Sequence, residues 1–495
     1  MLPRVFEIDE ILRVIATHVV DLEGSSAIAL ACCCKALEEP VLSLCWEGQS
    51  LDRLAGILPT DVLYRSCPKK PPYYVRTQPP SRATDGLLIT DLQTAIRLPT
   101  KEEQRRLLRY ASWIERIEGV ITRRFEAFFD VLQFCSPTKT PFPRLRAISW
   151  RIYPMSLPFL PLFVSPRMTT YSMEVYRDSS FDPTTMERDY LAIAVAALPP
   201  FLREFSLHIN PPGLWNDALK SEVLYVVQRC GSTLTHLDID MEFPTATIHH
   251  IMRFPNLHTW KVHRNLFPAG LTPSSESLPY LPTLCSLTLT ATNVDKWVTF
   301  LATLHPPLNA IRLNLAELDL SGHYAVDSQL IARVCSFKNL TRLVVGPPCP
   351  NDRCVFSLTD DDLSDLSLAL PRLEWLMLGH QCDKNTCKTT FRSLLFVSAR
   401  CPSLAFISVH FNTVQIAQDI RLLFESGDPR IRELWESPTR CKVVNLSVYQ
   451  TPLSLFGSHE LDLVKRGFLN VFPQLRGISR KHGRTWQCLT EALGK

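Results

Sequence analysis

The chain has 495 residues, of which 46% are hydrophobic and 21% charged, a composition typical of a folded protein with a large core. The net charge of +4 is too small to predict a nucleic-acid or membrane partner. No apolar stretch is long enough to span a bilayer, and the early acids Glu7, Asp9 and Glu10 argue against a signal peptide. Most of the sixteen cysteines lie within apolar patterns, which predicts reduced thiols and a cytoplasmic or nuclear protein.

The first 60 residues read as a small helical module. Apolar residues recur there at helical spacing, at Ile8, Ile11, Leu12, Ile15 and Val19. A second helix is predicted from Ser25 or Ser26 to Leu37, and a third has Pro40 in its first turn and runs to Trp46. Because such a core is small, we expect the module, residues 1–60, to gain stability by docking on a partner.

Residues 61–99 are predicted to be a linker, since prolines are dense between Pro68 and Pro80. A repeat domain then follows over residues 100–495. Its first helix is predicted by the capping box from Thr100 to Glu103, and its first strand by the segment around Ile117.

The repeat itself is the phrase aliphatic-x-x-aliphatic-x-aliphatic, often preceded by proline. The clearest copy begins at Leu373, and its last two leucines, Leu376 and Leu378, point to one face of a strand. Copies recur at intervals of 23 to 33 residues, beginning at Leu202, Leu234, Leu257, Leu284, Leu308, Leu340, Leu373 and Leu404. Less regular strands are predicted at 171–175, 443–448 and 472–478.

This period is the length of one strand and one helix, neither of which can bury its apolar side alone. We therefore predict an α/β leucine-rich-repeat solenoid, a horseshoe with parallel strands on the concave face and helices on the convex face. The alternative, a doubly wound sheet, usually has glycine-rich ligand turns that this sequence lacks.

Residues that alternate with the core leucines are expected to face outward and to contact a protein partner. They are Ser206, His208, Asp238, Asp240, Lys261, His263, Thr288, Thr290, Arg312, Asn314, Val344, Met377, Ser408, His410 and Trp435. Our candidates for target binding are Asp238, Lys261, Arg312, Met377, His410 and Trp435. Mixed charge with Met and Trp suits a protein surface better than a phosphate backbone.

Four cysteines fall in register in two successive turns: Cys349, Cys354, Cys382 and Cys387, with His380 nearby. They could bind zinc or form a disulfide, and unpaired loop thiols are the third reading. We expect no metal and no other cofactor. Phosphate-binding glycine loops, zinc-binding helices and nucleophile elbows are missing from the sequence, so we expect no enzyme activity.

The segments Ile8–Ile15 and Ala29–Trp46 together resemble an F-box, as it heads many fungal F-box/leucine-rich-repeat proteins, and Leu51–Pro59 is similar to the tail that follows it. Ile8-Asp9 stands where that family usually has Leu-Pro. The resemblance implies binding of the Skp adaptor of a cullin–RING ubiquitin ligase, with the repeats holding a target. The positions carried over are Ile8, Ile11, Leu12, Ile15, Cys34, Leu37, Pro40, Leu44 and Trp46.

The sequence thus predicts a non-catalytic substrate-recognition subunit of a ubiquitin ligase. Two other readings stay open: a ligase-independent repeat scaffold for protein assembly, and a head that only caps the solenoid. Co-purification with the adaptor distinguishes the first reading from both.

Overall fold

The computed structural model describes most of the chain in separate segments. These are 9–22, 24–33, 35–48, 50–64, 94–95, 97–121, 125–137, 140–176, 185–210, 214–263, 281–290, 315–321, 326–346, 356–379, 388–409, 411–413, 416–425, 432, 441–443, 445–447, 458–475, 477–479 and 489–491. The chain divides into two compact units, Met1–Leu234 and Thr235–Lys495.

The first unit contains a helical head and the first strands of the repeat sheet. Its helices are α1 (Asp9–Leu22), α2 (Gly24–Cys33), α3 (Lys35–Glu47), α4 (Leu51–Ala55), α5 (Lys101–Ala111), α6 (Glu126–Cys135), α7 (Thr185–Ala196) and α8 (Asp217–Arg229), with a 3-10 helix at Pro154–Phe163. Its strands are β1 (Leu63–Tyr64), β2 (Thr94–Ala95), β3 (Arg116–Ile121), β4 (Ala147–Ile152), β5 (Thr170–Val175) and β6 (Glu204–Ile209).

The head is formed by α1, α2 and α3 around a core of small and aliphatic side chains. That core consists of Leu12, Ala16, Ala27, Ala31, Leu37 and Val41. The prediction that Pro40 lies in the first turn of the third helix is wrong, because α3 begins at Lys35 and contains Pro40 in its interior. Proline removes one backbone hydrogen bond there, but Leu37 and Val41, spaced four apart, hold one face of the continuous helix in the core.

In the first unit, β3 to β6 pair as parallel neighbours in chain order. The strands alternate strictly, so that Ile148, Trp150 and Ile152 of β4 are buried while Ser149 and Arg151 between them are exposed. Parallel pairing in chain order, with a helix between successive strands, is the geometry of a solenoid. The predicted strand at 171–175 is confirmed as β5.

The second unit continues the same pattern of one strand per turn. Its helices are α9 (Thr245–Ile251), α10 (Ser328–Val334), α11 (Asp360–Ala369), α12 (Phe391–Arg400), α13 (Ile416–Phe424) and α14 (Ser458–Val471). Its strands are β7 (His236–Ile239), β8 (Thr259–Val262), β9 (Ser286–Thr290), β10 (Glu317–Ser321), β11 (Arg342–Val345), β12 (Trp375–Leu378), β13 (Phe406–Val409), β14 (Asn445–Ser447) and β15 (Gly477–Ser479). The predicted strands near 445 and 478 are confirmed, and the copy at Leu308 lies outside the described residues.

The leucines of successive turns lie in register. Leu343 pairs with Leu376, which pairs with Ile407, and all three are fully buried. The inner row of each strand therefore packs against the same row of its neighbours, as the repeat phrase predicts. The fold is an α/β leucine-rich-repeat solenoid.

Helix ends add polar links between turns. The Thr359 side chain accepts from the Asp362 amide, and the Asp362 carboxylate accepts from the Thr359 amide, so α11 begins with a capping box. At the same helix end, Asp360 accepts from the Thr390 amide (2.7 Å) and the Thr390 hydroxyl (2.6 Å). The acidic run from Asp360 to Asp362 thus caps its own helix and holds the start of the next turn.

Buried cysteines serve as small apolar residues, as predicted. The Cys401 thiol points to the Leu370 carbonyl (3.5 Å), and the Cys441 thiol to the Leu404 carbonyl (3.6 Å). Burial raises the pKa of Cys401 to about 12 and that of Cys441 to about 11, so both thiols stay protonated and unreactive at neutral pH. No helix among the described residues is both long and apolar enough to cross a membrane.

The substitution Leu376→Ala tests the shared core. Leu376 is fully buried in β12, so its truncation should lower the free energy of unfolding by about 2 to 5 kcal/mol. Leu368→Ala on α11 is the matched control, because Leu368 is 61% exposed, and its effect should stay within about 0.5 kcal/mol. Denaturant unfolding followed by circular dichroism measures both. Equal effects of the two substitutions would contradict the placement of β12.

Candidate protein interaction surfaces

An aromatic cluster fastens the head to the first repeat helix. The ring of Trp46, at the end of α3, lies 4.9 Å from that of Tyr110 on α5. Tyr110 in turn meets Trp113 edge-on at 5.4 Å, and the Arg109 guanidinium lies 5.1 Å from the centre of the Trp113 ring. Such contacts each stabilise by roughly 0.5 to 1.5 kcal/mol. Trp46, predicted to be an adaptor contact, therefore also packs within the chain.

Polar contacts fix the orientation of this joint. Arg109 of α5 pairs with Glu38 of α3 at 3.0 Å. The Glu115 amide, just before β3, donates to the Glu47 carbonyl at the end of α3 (3.1 Å). The head is thus bonded to the backbone that leads into the first strand. It does not depend on the predicted linker for its position.

A three-residue charge network holds the segment after the head. Arg97 donates to Glu103 (2.8 Å) and to Asp61 (2.8 Å), while Glu103 also caps the Thr100 amide (2.7 Å). The hydrogen bond from Arg97 and then that from the Thr100 amide lower the pKa of Glu103 to about 2. The predicted capping box at Thr100 is confirmed. Asp61 is exposed, and Arg97 and Glu103 are only partly buried at the surface, so the network contributes to geometry more than to stability.

The predicted adaptor-binding positions divide into three groups. Leu12 and Leu37 are buried in the head's own core, so they support its surface and do not form it. Half-buried positions are Ile15, Pro40, Leu44 and Trp46. Ile8, Cys34 and the side chain of Ile11 lie outside the described residues.

Sequence reasoning missed Val14, the most exposed apolar residue in the described part of the head. Val14 on α1 is 69% exposed, although it lies directly beside the predicted stripe residue Ile15. On α2 the thiols of Cys32 and Cys33 are also exposed. Val14 is apolar but lies off the stripe formed by Ile11, Leu12 and Ile15. An apolar residue outside the core-facing stripe of a helix is expected to be exposed, so the sequence pattern could have identified it. Val14, Ile15, Cys32 and Cys33 are apolar side chains that the head does not bury completely.

A cleft of about 530 Å³ lies between α3 and the first repeat turns. Pro40 and Leu44 line it from the head, and Trp113, Arg144 and Arg167 line it from the repeats.

A second cleft, of about 590 Å³, lies on the outward face of β3 to β6. Arg151 and Glu174 form an ion pair (3.3 Å) within this second cleft. Both clefts are lined by mixed charges, as protein-binding surfaces are.

The outward face of the second unit begins with a charged cluster. Asp238 on β7 pairs with Lys261 on β8 (3.0 Å) and with His263 (2.8 Å), so two predicted target-binding residues bind each other. Met377, the third described candidate, is half-buried on β12.

Three residues predicted to face outward are buried instead: Asp240, Val344 and Ser408. Asp240 follows the end of β7, so the strand alternation no longer applies to it. Val344 and Ser408 lie in register on either side of Met377, and each is flanked by paired strands on both sides.

Farther along this face, aromatic rings stack across strands. Trp375 on β12 and Phe406 on β13 lie in register, with ring centroids 3.8 Å apart and nearly parallel. The guanidinium of Arg342 on β11 lies 5.0 Å from the centre of the Trp375 ring. Beside this stack, burial raises the pKa of Asp319 on β10, while the nearby charges of Arg342 and Lys261 lower it. The sequence pattern did not predict this stack, because the three residues come from different repeats.

Several predicted site residues lie outside the described residues: Arg312, Asn314, His410, Trp435, His380, Cys349, Cys354, Cys382 and Cys387. Target binding by Arg312, His410 and Trp435 stays a prediction. The same holds for the three alternative states of the four cysteines.

No protein-family model matches the chain, and no curated protein sequence matches it. Among solved structures, the chain is similar to one in the crystal structure of the Rad7 and Elc1 complex from yeast. The two share 12% sequence identity and a TM-score of 0.37, over 78% of this chain and 73% of the other. Similarity of this size carries no argument about function, which must rest on the chain's own surfaces.

The coupling of the head to α5 can be measured with a double-mutant cycle on Trp46 and Tyr110. Trp46→Ala and Tyr110→Ala should each lower stability, and the double substitution should cost less than their sum by about 0.5 to 1.5 kcal/mol. Thermal unfolding of the four proteins gives the coupling energy. Strict additivity would show that the ring contact does not fasten the head.

The raised pKa of Asp319 predicts a pH-dependent stability. Burial disfavours the ionised form of Asp319 in the folded protein but not in the unfolded chain. The free energy of unfolding should therefore decrease as pH rises above about 4, where the unfolded chain ionises this group more readily. Asp319→Asn should therefore be more stable than the wild type at pH 7, and the difference should shrink as pH falls towards about 4. Glu317→Gln removes the same charge nearby and controls for net charge. A less stable Asp319→Asn protein at pH 7 would contradict this account.

Proposed function

We propose that this chain is the substrate-recognition subunit of a Skp–cullin–F-box ubiquitin ligase. The head would bind a Skp-type adaptor, and the repeats would hold a protein target. The observation that carries the proposal is the fixed attachment of an F-box-like three-helix head to the first turn of a leucine-rich-repeat array.

The proposed adaptor-binding surface consists of the apolar side chains of the head that are not buried in its own core. α1 and α2 bury Leu12, Ala16 and Ala31 internally but leave Val14 exposed. A small helical core with an exposed apolar residue gains stability when a partner covers that residue. We assign Val14 and the half-buried Ile15 to the centre of the adaptor contact.

The joint between head and repeats suits a ligase subunit for a geometric reason. Ubiquitin transfer requires a target lysine to stay close to a charged conjugating enzyme, and a rigid bridge raises its effective concentration there. The ties at Trp46, Arg109 and Glu115 provide such a bridge inside the first unit. The chain would thus contribute binding geometry and no catalytic side chain, and it would act in the cytoplasm or nucleus.

A ligase-independent scaffold remains the second candidate function. It is favoured by Ile8-Asp9 at the position where the F-box family usually has Leu-Pro, since that change falls in the adaptor-binding segment. In that case the head would only close the open edge of the repeat array.

The test is co-purification of the full-length chain with a purified Skp-type adaptor. Val14→Asp places a charge on the proposed contact without entering the core, so it should weaken adaptor binding by at least tenfold. The matched control is Val120→Asp on β3, where the valine is 46% exposed and distant from α1 in sequence; it should bind normally.

A point variant is preferable to removal of residues 1–60, because removal would uncover Tyr110, which packs against Trp46 on one side and Trp113 on the other. Failure of the wild-type chain to bind any Skp-type adaptor would overturn the ligase proposal and favour the scaffold. Binding that survives Val14→Asp would overturn the assignment of the contact.

A further inference from the structure

We propose that the second unit binds its target through an acidic–aromatic patch, and that the target segment carries a lysine or arginine beside an apolar residue. The patch consists of Glu317, Asp319, Arg342, Trp375 and Met377 on β10 to β12. This inference rests on the proposed function only in naming the bound protein a ubiquitination target.

The apolar half of the patch lies on β12. Met377 and Trp375 are two residues apart on the same strand and both are half-buried on its outward side. The Trp375 ring is held in place by Phe406 on one side and the Arg342 guanidinium on the other. A ring with restricted motion loses little entropy on binding, and Met adapts its shape to the ligand. These are the residue types that anchor protein interfaces.

The acidic half of the patch lies on β10. Glu317 and Asp319 are two residues apart and face outward, opposed within the patch by the single cation Arg342, which leaves a net charge of −1. Arg342 already lies over Trp375, and Lys261, on β8, pairs with Asp238. The carboxylate of Asp319 is kept half-buried, where ionisation is disfavoured. A cation supplied by a ligand would compensate that charge.

The register fixes the spacing between the two halves. Asp319 pairs with Val344, which pairs with Met377, so Asp319 and Met377 lie two strands apart, about 9.6 Å. An extended peptide crossing the strands places side chains on one side at intervals of about 6.6 Å. The flexible stem of a lysine covers the remaining ~3 Å. The ligand should therefore carry its apolar and basic residues two positions apart.

Charge also separates a protein ligand from a nucleic acid. Bases stack on aromatic side chains, but phosphates need cations beside the rings. Here the cation beside the Trp375 ring, Arg342, is flanked on β10 by Glu317 and Asp319, which would repel a phosphate backbone. A basic protein segment is favoured by the same two charges.

The experiment uses the purified full-length chain and an array of synthetic ten-residue peptides. Each peptide carries one leucine or tryptophan and one lysine at varied separation in a Gly/Ser background, and matched peptides carry glutamate instead of lysine. We expect binding to peak at a separation of two positions and to fall at least tenfold when glutamate replaces lysine. No preference for lysine, or tighter binding of a single-stranded oligonucleotide than of any peptide, would overturn the proposal.

Three variants assign binding to the patch. Met377→Lys should reduce binding at least tenfold. Asp319→Lys should reverse the preference from lysine to glutamate peptides, which a simple loss of folding cannot do. Asp319→Asn should remove the preference for lysine over glutamate peptides without lowering stability. If Asp319→Lys does not fold, this variant alone tests the role of the Asp319 charge. The matched control is Leu368→Lys on α11, where the leucine is 61% exposed on a helix and outside the patch, and which should bind as the wild type does. Unchanged binding by Met377→Lys and Asp319→Asn would exclude the patch.

The peptide array contains no adaptor, so its outcome is independent of the ligase proposal. Loss of adaptor binding with retained peptide selectivity would leave this patch as the target site of a scaffold. Adaptor binding without peptide selectivity would leave the ligase proposal standing and place the target elsewhere.

Discussion

The whole architecture depends on the sharing of one apolar row between successive turns. A strand of four residues such as β12 buries only Leu376 and Leu378, which is too little to fold alone. Register with Leu343 on one side and Ile407 on the other makes that row continuous. Each turn is therefore stable only between its neighbours, and the first turn needs a cover. In the first unit α5 and the head provide it through Tyr110 and Trp113.

Periodicity in the sequence predicted most of the fold, because the repeat phrase reports directly which side chains are buried. It located even the irregular strand at Tyr171, and the capping-box motif separately located the helix start at Thr100. It failed where the outcome depends on neighbours from other turns. Val344 and Ser408 alternate correctly but are buried, and Pro40 lies inside a helix whose residues Leu37 and Val41 are held in the head's core.

The candidate surfaces were harder to predict than the fold for the same reason. Trp46 and Tyr110 are 64 positions apart, and Arg342, Trp375 and Phe406 come from three turns. A sequence motif contains only residues that are close together along the chain, so it cannot show that these residues are in contact. The resemblance to an F-box drew attention to the helical head, yet two of its positions, Leu12 and Leu37, are core residues, and it did not include the exposed Val14. A contact surface is defined by what the core leaves uncovered, which only packing reveals.

Hydrogen exchange followed by mass spectrometry on the intact chain tests the shared row most directly. If successive strands pair in parallel and in register, the amides of β9 to β13 should exchange slowest, since each lies between two hydrogen-bonded neighbours. The terminal strand β15 should exchange faster, because within the described residues it pairs only with β14. Rapid, uniform exchange across β9 to β13 would contradict the solenoid and everything built on it.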